Sequence, residues 1–224
     1  LYGSGGAVNS PAVVAAILAN GNVLDPTVSE TGINIFSNAV NTRSRGVELV
    51  ATVNSNYGDL GRVDWSLAAN YNQVRVTKIN QAPTQLMPQQ LLDRTAISNL
   101  ETASPRARVN LGALWRLGQW TVNLREAIYG KSHTWESPNG GTYYKNEIGT
   151  TAITDLEVSY KLTPNWTVSA GANNLFNEYP DEVNAELMAV YRANLDNAGV
   201  TKYPSFSPFG INGGYYYARA SFKF

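Results

Sequence analysis

The chain has 224 residues, no cysteine and a formal net charge of zero, with 15% charged side chains against 43% apolar ones. Disulfides and thiolate metal sites are excluded, and balanced charge at low density gives no electrostatic footprint for nucleic acid. Soluble globular domains carry roughly 25% charged residues. Here Asn, Ser, Thr, Gly and Tyr take their place, a mixture that suits strands with one greasy and one neutral polar face. The sequence begins at Leu1 with no signal-peptide pattern, so the expectation is a C-terminal piece of a longer chain.

In chain order, Gly3-Ser4-Gly5-Gly6 lacks the Lys-Ser/Thr that a phosphate loop needs. The run from Ala12 to Ala19 has Ser10 as N-cap, Pro11 at the first helical position and Asn20-Gly21 as a stop. It predicts a helix of about two to three turns. No stretch reaches the roughly 18 apolar residues of a membrane helix, a test that says nothing of membrane strands.

From there a period of two governs the sequence. Over 43–55, Val47, Leu49, Ala51 and Val53 oppose Ser44, Gly46, Glu48, Thr52 and Asn54, and 33–41 extends that strand. Over 62–79, Val63, Trp65, Leu67, Ala69 and Tyr71 oppose Asp64, Ser66, Asn70 and Asn72. Over 102–117, Ala107, Val109, Leu111, Ala113, Trp115 and Leu117 oppose Arg106, Arg108, Asn110, Gly112 and Arg116. Over 119–131, Trp120, Val122, Leu124 and Ile128 oppose Thr121, Asn123, Arg125 and Tyr129. Segments 148–162 and 166–177 repeat the pattern. The chain closes on a strand with Tyr216, Ala218, Ala220, Phe222 and Phe224 on one side and Tyr215, Tyr217, Arg219, Ser221 and Lys223 on the other. About seven such segments predict an all-β protein.

The connections alternate in length. Residues 57–61, 117–119 and 162–165 are tight turns, whereas 80–101, 132–147 and 178–212 read as long structureless loops. Trp65, Trp115, Trp120 and Trp166 fall close to tight turns on the apolar face, with Phe222 and Phe224 at the same end. That is the pattern of an interfacial girdle. A soluble sandwich explains the alternation but neither the one-sided loops nor the tryptophans at one level. The fold expected is an antiparallel transmembrane β-barrel, represented by its C-terminal strands.

Three segments carry a family likeness. Asn41-Thr42-Arg43-Ser44-Arg45-Gly46-Val47-Glu48-Leu49, Gly171-Ala172-Asn173-Asn174-Leu175-Phe176-Asn177-Glu178-Tyr179-Pro180, and the ending from Tyr217 to Phe224 together resemble the C-terminal part of a TonB-dependent outer-membrane receptor. The resemblance covers about residues 31–224. It implies a large barrel in the bacterial cell outer membrane, plugged by an N-terminal domain. It also implies import of a scarce, bulky ligand such as a siderophore, carbohydrate or cobalamin-like molecule, driven by the TonB energy-coupling protein. Plug and TonB box are not among these residues, and about seven strands do not close such a barrel, so the piece alone is expected not to transport. Residues 1–30 then read as an extracellular loop with its short helix and 31–224 as barrel strands. Tyr217, Phe222 and Phe224 resemble the signal read by the barrel-assembly machinery. A passive porin-like channel is the alternative.

No catalytic constellation, cofactor site or metal site is expected. The single histidine, His133, lies in a long loop, which removes His-based triads and His-rich metal centres. Asp181, Glu182 and Glu186 read as a solvated acidic loop rather than a calcium site. Arg106, Arg108, Arg116, Arg125 and Arg219, with Asp64, Asp155 and Glu157, read as charges pairing across strands in a wet lumen. Ligand contacts are expected from loop aromatics: Trp135, Tyr143 and Tyr144 in one loop, and Tyr179, Tyr191, Tyr203, Phe206 and Phe209 in another.

Overall fold

The computed structural model describes Ala19, which is helical, and residues 40–80, 92–194 and 201–224. The rest of the helix expected over Ala12 to Ala19, the strand extension over 33–39 and the glycine-rich Gly3 to Gly6 lie outside the described residues. Among the described residues, the strands are β1 (Val40–Asn56), β2 (Arg62–Ile79), β3 (Ala107–Leu117), β4 (Trp120–Tyr129), β5 (Ser132–Glu136), β6 (Tyr144–Ile148), β7 (Thr151–Lys161), β8 (Trp166–Asn173) and β9 (Tyr215–Phe222). Two helices, α1 (Arg94–Glu101) and α2 (Ala185–Asn194), lie in the long connections. One antiparallel sheet runs in the order β1-β2-β3-β4-β7-β8-β9, and β5 and β6 pair separately. The architecture is a seven-stranded arc of barrel wall.

The register explains the arc's two faces, because partners across a ladder share a side. Val47 faces Tyr71, Leu49 faces Ala69 and Val53 faces Trp65. The row continues through Leu67 and Leu111, Ala113 and Leu124, Leu124 and Leu156, and Trp166 and Phe222. Val47 is 73% exposed and Leu49 55%. Soluble monomers rarely leave a contiguous apolar face of several strands open to water. One carboxylate interrupts the row. Glu126 faces Leu111 and Thr154, and the Thr154 hydroxyl donates to it at 2.6 Å.

The opposite face is polar and cross-linked. Asp64 accepts from Asn54 at 2.6 Å and pairs with Arg116 and, at 3.7 Å, with Arg62. Arg125 stands 3.6 Å from Asp155, and the Ser159 and Ser169 hydroxyls are 2.8 Å apart. Glu157 accepts from Arg219 at 2.9 Å and from the Tyr217 hydroxyl at 2.8 Å. This last contact skips a strand: Glu157 is on β7, Tyr217 on β9, and Gly171 of β8 lies opposite both. With no Cβ at Gly171, the tyrosine ring crosses the middle strand.

Tight connections close one end. Gly118 takes φ 56°, which glycine adopts without a steric cost, and this lets Leu117 and Trp120 face each other across a two-residue turn. Thr163 accepts from the N–H groups of Asn165 and Trp166 at 3.3 and 3.1 Å. Asn165 then exchanges two bonds with Lys223, side-chain amide to carbonyl at 2.8 Å and N–H to carbonyl at 2.9 Å. The chain end is thereby tied to the β7–β8 turn.

The period-two reading locates all seven sheet strands and misplaces some ends. The segment expected from 102 becomes strand only at Ala107, because α1 and its exit occupy the residues before it. The strand expected to 177 ends at Asn173, since Asn174 and Asn177 take φ 54° and 58°, which no strand accommodates. The long loops are not structureless: α1, the β5–β6 hairpin and α2 fill much of them. Proline apart, three of the five buried apolar side chains among the described residues, Leu92, Ile148 and Leu187, belong to this loop end.

Candidate functional site

Three connections meet at the loop end, each positioned by a sheet hairpin below it. Helix α1 starts where the Asp93 carboxylate caps the Ala96 N–H at 2.7 Å. It docks on β5 through polar groups. The Ser98 hydroxyl accepts from the Trp135 N–H at 2.9 Å. Thr102 and His133 exchange two bonds, His133 N–H to the Thr102 carbonyl and Thr102 hydroxyl to the His133 carbonyl, both 2.8 Å. The Arg94 guanidinium lies 3.3 Å from the Trp135 ring centroid and 5.9 Å from that of Tyr143.

The other side of the hairpin meets α2. Glu136 accepts from the Thr134 hydroxyl at 2.9 Å, from the Asn146 amide at 3.2 Å and from the Tyr191 hydroxyl. Burial first, and then this hydrogen bond, push the Tyr191 phenol above its ordinary range. Asn146 is buried and accepts from the Asn184 N–H at 3.3 Å. The Asn184 carbonyl oxygen of the side chain caps α2 by accepting from Glu186 N–H at 2.9 Å and Leu187 N–H at 3.2 Å. Beside α2, a cavity of about 590 Å³ is lined by Glu182, Val183, Ala185, Met188, Arg192 and Lys202 among others.

The motif around Asn174 is a clasp joining this end to the sheet. Asn174 donates to the Glu178 carbonyl at 2.7 Å and accepts from its N–H at 2.8 Å, while its own N–H binds Asp155 at 2.9 Å. Asn177 accepts from the Gly214 N–H at 2.9 Å, and the Tyr216 hydroxyl reaches the Leu175 carbonyl at 3.0 Å. Asparagine tolerates the left-handed backbone both positions require.

The predicted loop aromatics split by what already occupies them. Trp135 has one ring face covered by Arg94, and the Tyr191 hydroxyl is committed to Glu136. Tyr203 stacks on Tyr179 with centroids 5.3 Å apart, and Phe209 packs on Tyr129 at 5.5 Å. Phe206 is half-buried. Tyr144 faces Glu136 across the hairpin. Burial lowers the His133 basicity, Lys145 adds to this, and Glu147 opposes it. The hydrogen bond from Lys145 holds Glu147 below the usual carboxylate range.

The acidic residues of the last loop are divided among separate partners. Asp181 accepts from the Gly149 N–H at 2.6 Å, and Glu182 pairs with Lys202 at 2.8 Å. The expected charge pairing holds for Arg116, Arg125 and Arg219. Arg108 instead lies 4.8 Å from the Tyr129 ring centroid and binds Asn110 at 3.2 Å, and Arg106 forms no ion pair among the described residues.

At the turn end, Trp65, Trp120 and Trp166 are each about half exposed. The Trp120 ring meets Tyr160 at 4.6 Å, and Trp166 meets Phe222 at 4.9 Å. Phe222 meets Phe224 edge-on at 5.1 Å. The Trp115 indole donates to the Leu60 carbonyl at 2.7 Å. Sequence reasoning missed Arg94, Ser98, Glu136 and Asn146. The cap at Asp93 was a local signal for α1, but the contacts of these four residues are long-range.

An antiparallel arc with one exposed apolar wall, one wet charged face, tight turns at one end and built loops at the other is part of a membrane barrel wall. The model for the family of TonB dependent receptor-like β-barrels matches residues 13–175, more than half of the chain, and the chain belongs to that family. No curated protein matches it. Among solved structures, the pyoverdine outer membrane receptor FpvA from Pseudomonas aeruginosa PAO1, bound to pyoverdine, is similar at 14% identity and TM-score 0.53, over 92% of this chain and 24% of that one. The ferric enterobactin receptor PfeA of Pseudomonas aeruginosa is similar at 16% identity and TM-score 0.44, over 78% and 22%. The likeness to FpvA is of fold, and the chain spans about a quarter or less of those proteins' length.

Proposed function

We propose that these residues are the C-terminal wall and extracellular loops of an energised outer-membrane receptor that imports a scarce, bulky ligand. The observation that carries the reading is family membership over residues 13–175, since that family's barrels are outer-membrane receptors rather than enzymes. The turn end then faces the periplasm, the loop end the cell exterior, and the charged face the lumen. In this reading Trp65, Trp115, Trp120 and Trp166 form the periplasmic girdle, and Tyr217, Phe222 and Phe224 form the assembly signal. Residues 1–30 are an extracellular loop.

Ligand is met by the aromatic side chains of the loop cluster: Trp135, Tyr143, Tyr144, Tyr191 and Tyr203. Planar aromatic faces stack on catecholate, sugar or corrin-like surfaces. The ligand classes are a siderophore, a carbohydrate or a cobalamin-like molecule. The plug and the TonB energy-coupling protein act through parts of the receptor outside these residues.

The test is uptake by cells carrying the intact receptor, screened against iron chelates, oligosaccharides and cobalamin. Saturable uptake abolished by collapse of the proton gradient is the expected result. Saturable uptake that survives the collapse would overturn the energised reading and favour a passive channel.

A further inference from the structure

The β5–β6 hairpin has two outer edges, and only one of them is closed. In an antiparallel pair, rungs that exchange two backbone bonds alternate with rungs whose N–H and C=O groups point away from the partner strand. On β5 the outward groups are known by what they bind. The His133 N–H goes to the Thr102 carbonyl at 2.8 Å and the Trp135 N–H to the Ser98 hydroxyl at 2.9 Å. Helix α1 and its exit thus close the β5 edge. His133 faces Glu147 and Trp135 faces Lys145, so on β6 the backbone groups of Lys145 and Glu147 point outward.

These groups are bare. No third strand joins the hairpin among the described residues, and within that set the N–H and C=O groups of Lys145 and Glu147 bind no partner. The next outward N–H along the edge, that of Gly149, is taken by the Asp181 carboxylate at 2.6 Å, which marks one end of the open stretch. One face of the hairpin is shut as well. Asn146 and Ile148 are buried there, and α2 reaches that face through Asn184 and Tyr191. Lys145 and Glu147 are exposed.

Native sheet edges are commonly blunted by charges, a proline or a covering segment. Here the two charges are spent on each other, Lys145 pairing with Glu147, and together they leave the edge neutral. Held by α1 on one side and α2 on the other, β6 offers two donors and two acceptors in alternation, with a repeat of about 7 Å. Sugar hydroxyls and catecholate oxygens have no such alternation. An extended peptide backbone matches all four groups.

We propose that β6 binds an extended peptide segment of the arriving ligand by antiparallel strand addition at Lys145 and Glu147. The proposal deepens the import reading and rests on its placing the loop end outward. A basic residue opposite Glu147 and an acidic one opposite Lys145 are the favoured cross-strand pairs.

The probe is a fluorescein-labelled, amidated pentapeptide, Val-Lys-Thr-Glu-Val, whose lysine meets Glu147 and whose glutamate meets Lys145. Its binding to the intact receptor in detergent is read by anisotropy. Saturable binding to wild type is expected. The same peptide N-methylated at its lysine and glutamate lacks the two donors aimed at β6 and should bind at least about thirtyfold more weakly, whereas N-methylation at the central threonine, whose N–H points away, should be tolerated. On the protein side, Lys145→Ala keeps the backbone donor and should cost about threefold. Lys145→Pro removes that outward N–H without touching the β5 ladder and should cost about thirtyfold. The N-methylated probes on wild type keep the test valid if the proline disturbs the hairpin. No saturable binding to wild type, equal binding of the peptide methylated at lysine and glutamate, or equal affinity of a folded Lys145→Pro and Lys145→Ala would each overturn the proposal. Peptide binding needs no proton gradient, so its failure leaves energised import standing, and uptake that survives collapse of the gradient overturns that reading without touching the peptide result.

Discussion

Replacing Gly171 by alanine tests whether the β7–β9 link depends on the missing side chain. A Cβ there would lie 2.7 Å from the Tyr217 hydroxyl oxygen, 2.8 Å from its Cζ and 2.8 Å from the Leu156 carbonyl oxygen. The Leu156 carbonyl is held in the β7 backbone, so the tyrosine ring must yield. Moving it breaks the 2.8 Å bond to Glu157. Overpacking costs about 1–3 kcal/mol, and a hydrogen bond to a charged acceptor contributes about 1.5–3 kcal/mol. Arg219 stays on Glu157 on a wet face, which puts the total near the lower half of the sum, about 2.5–4 kcal/mol. Urea titration of the intact receptor folded in lipid vesicles measures this. In a Tyr217→Ala background the same change meets only Leu156, so its cost should drop by about 1–2 kcal/mol. Costs that add within about 0.5 kcal/mol would refute the account.

Three further outcomes are expected. His133 binds its proton less well in the folded loop than the ordinary value of about 6.5. The unfolded segment therefore binds more protons between that value and the lowered one, and hairpin stability falls as pH drops below about 6.5. Amide exchange of β5, corrected for intrinsic rate, should quicken on acidification, and His133→Asn should remove the effect. Arg94→Ala strips the guanidinium from Trp135 and should destabilise the loop cluster by about 0.5–2 kcal/mol, read as a lower midpoint for the tryptophan fluorescence change, with Arg94→Lys recovering part. Phe224→Asp should lower membrane insertion of the intact receptor while leaving the ligand affinity of inserted molecules unchanged; normal insertion would count against an assembly signal.

The sheet was legible because each strand carries one apolar row, and a period of two survives in any window of five or six residues. Val47 to Val53 and Trp65 to Tyr71 announce both the strand and its face. Glu126 did not announce itself, since its partner Thr154 is 28 residues away. The loop end was opaque for a different reason. Its hairpin buries Ser132, Thr134 and Asn146, polar residues that leave no hydrophobic rhythm. The turn residues Pro138-Asn139-Gly140-Gly141 between β5 and β6 were a usable hairpin sign, as was Asp93 for α1. Arg94 over Trp135 and Tyr191 on Glu136 join separate loops, and a linear sequence gives no cue to such meetings. The clasp motif was recognisable as a string of letters, and only the backbone angles of Asn174 and Asn177 explain why asparagine stands there.

The interlocking of α1, the β5–β6 hairpin and α2 through Ser98, Thr102, Glu136 and Asn146 bears on how a receptor of this kind can be re-purposed. Transplanting one loop from a relative would strand the hydroxyls and amides that the other two loops had matched. The natural unit of exchange is the whole three-loop cap, and variation at one seam calls for compensating variation at the other.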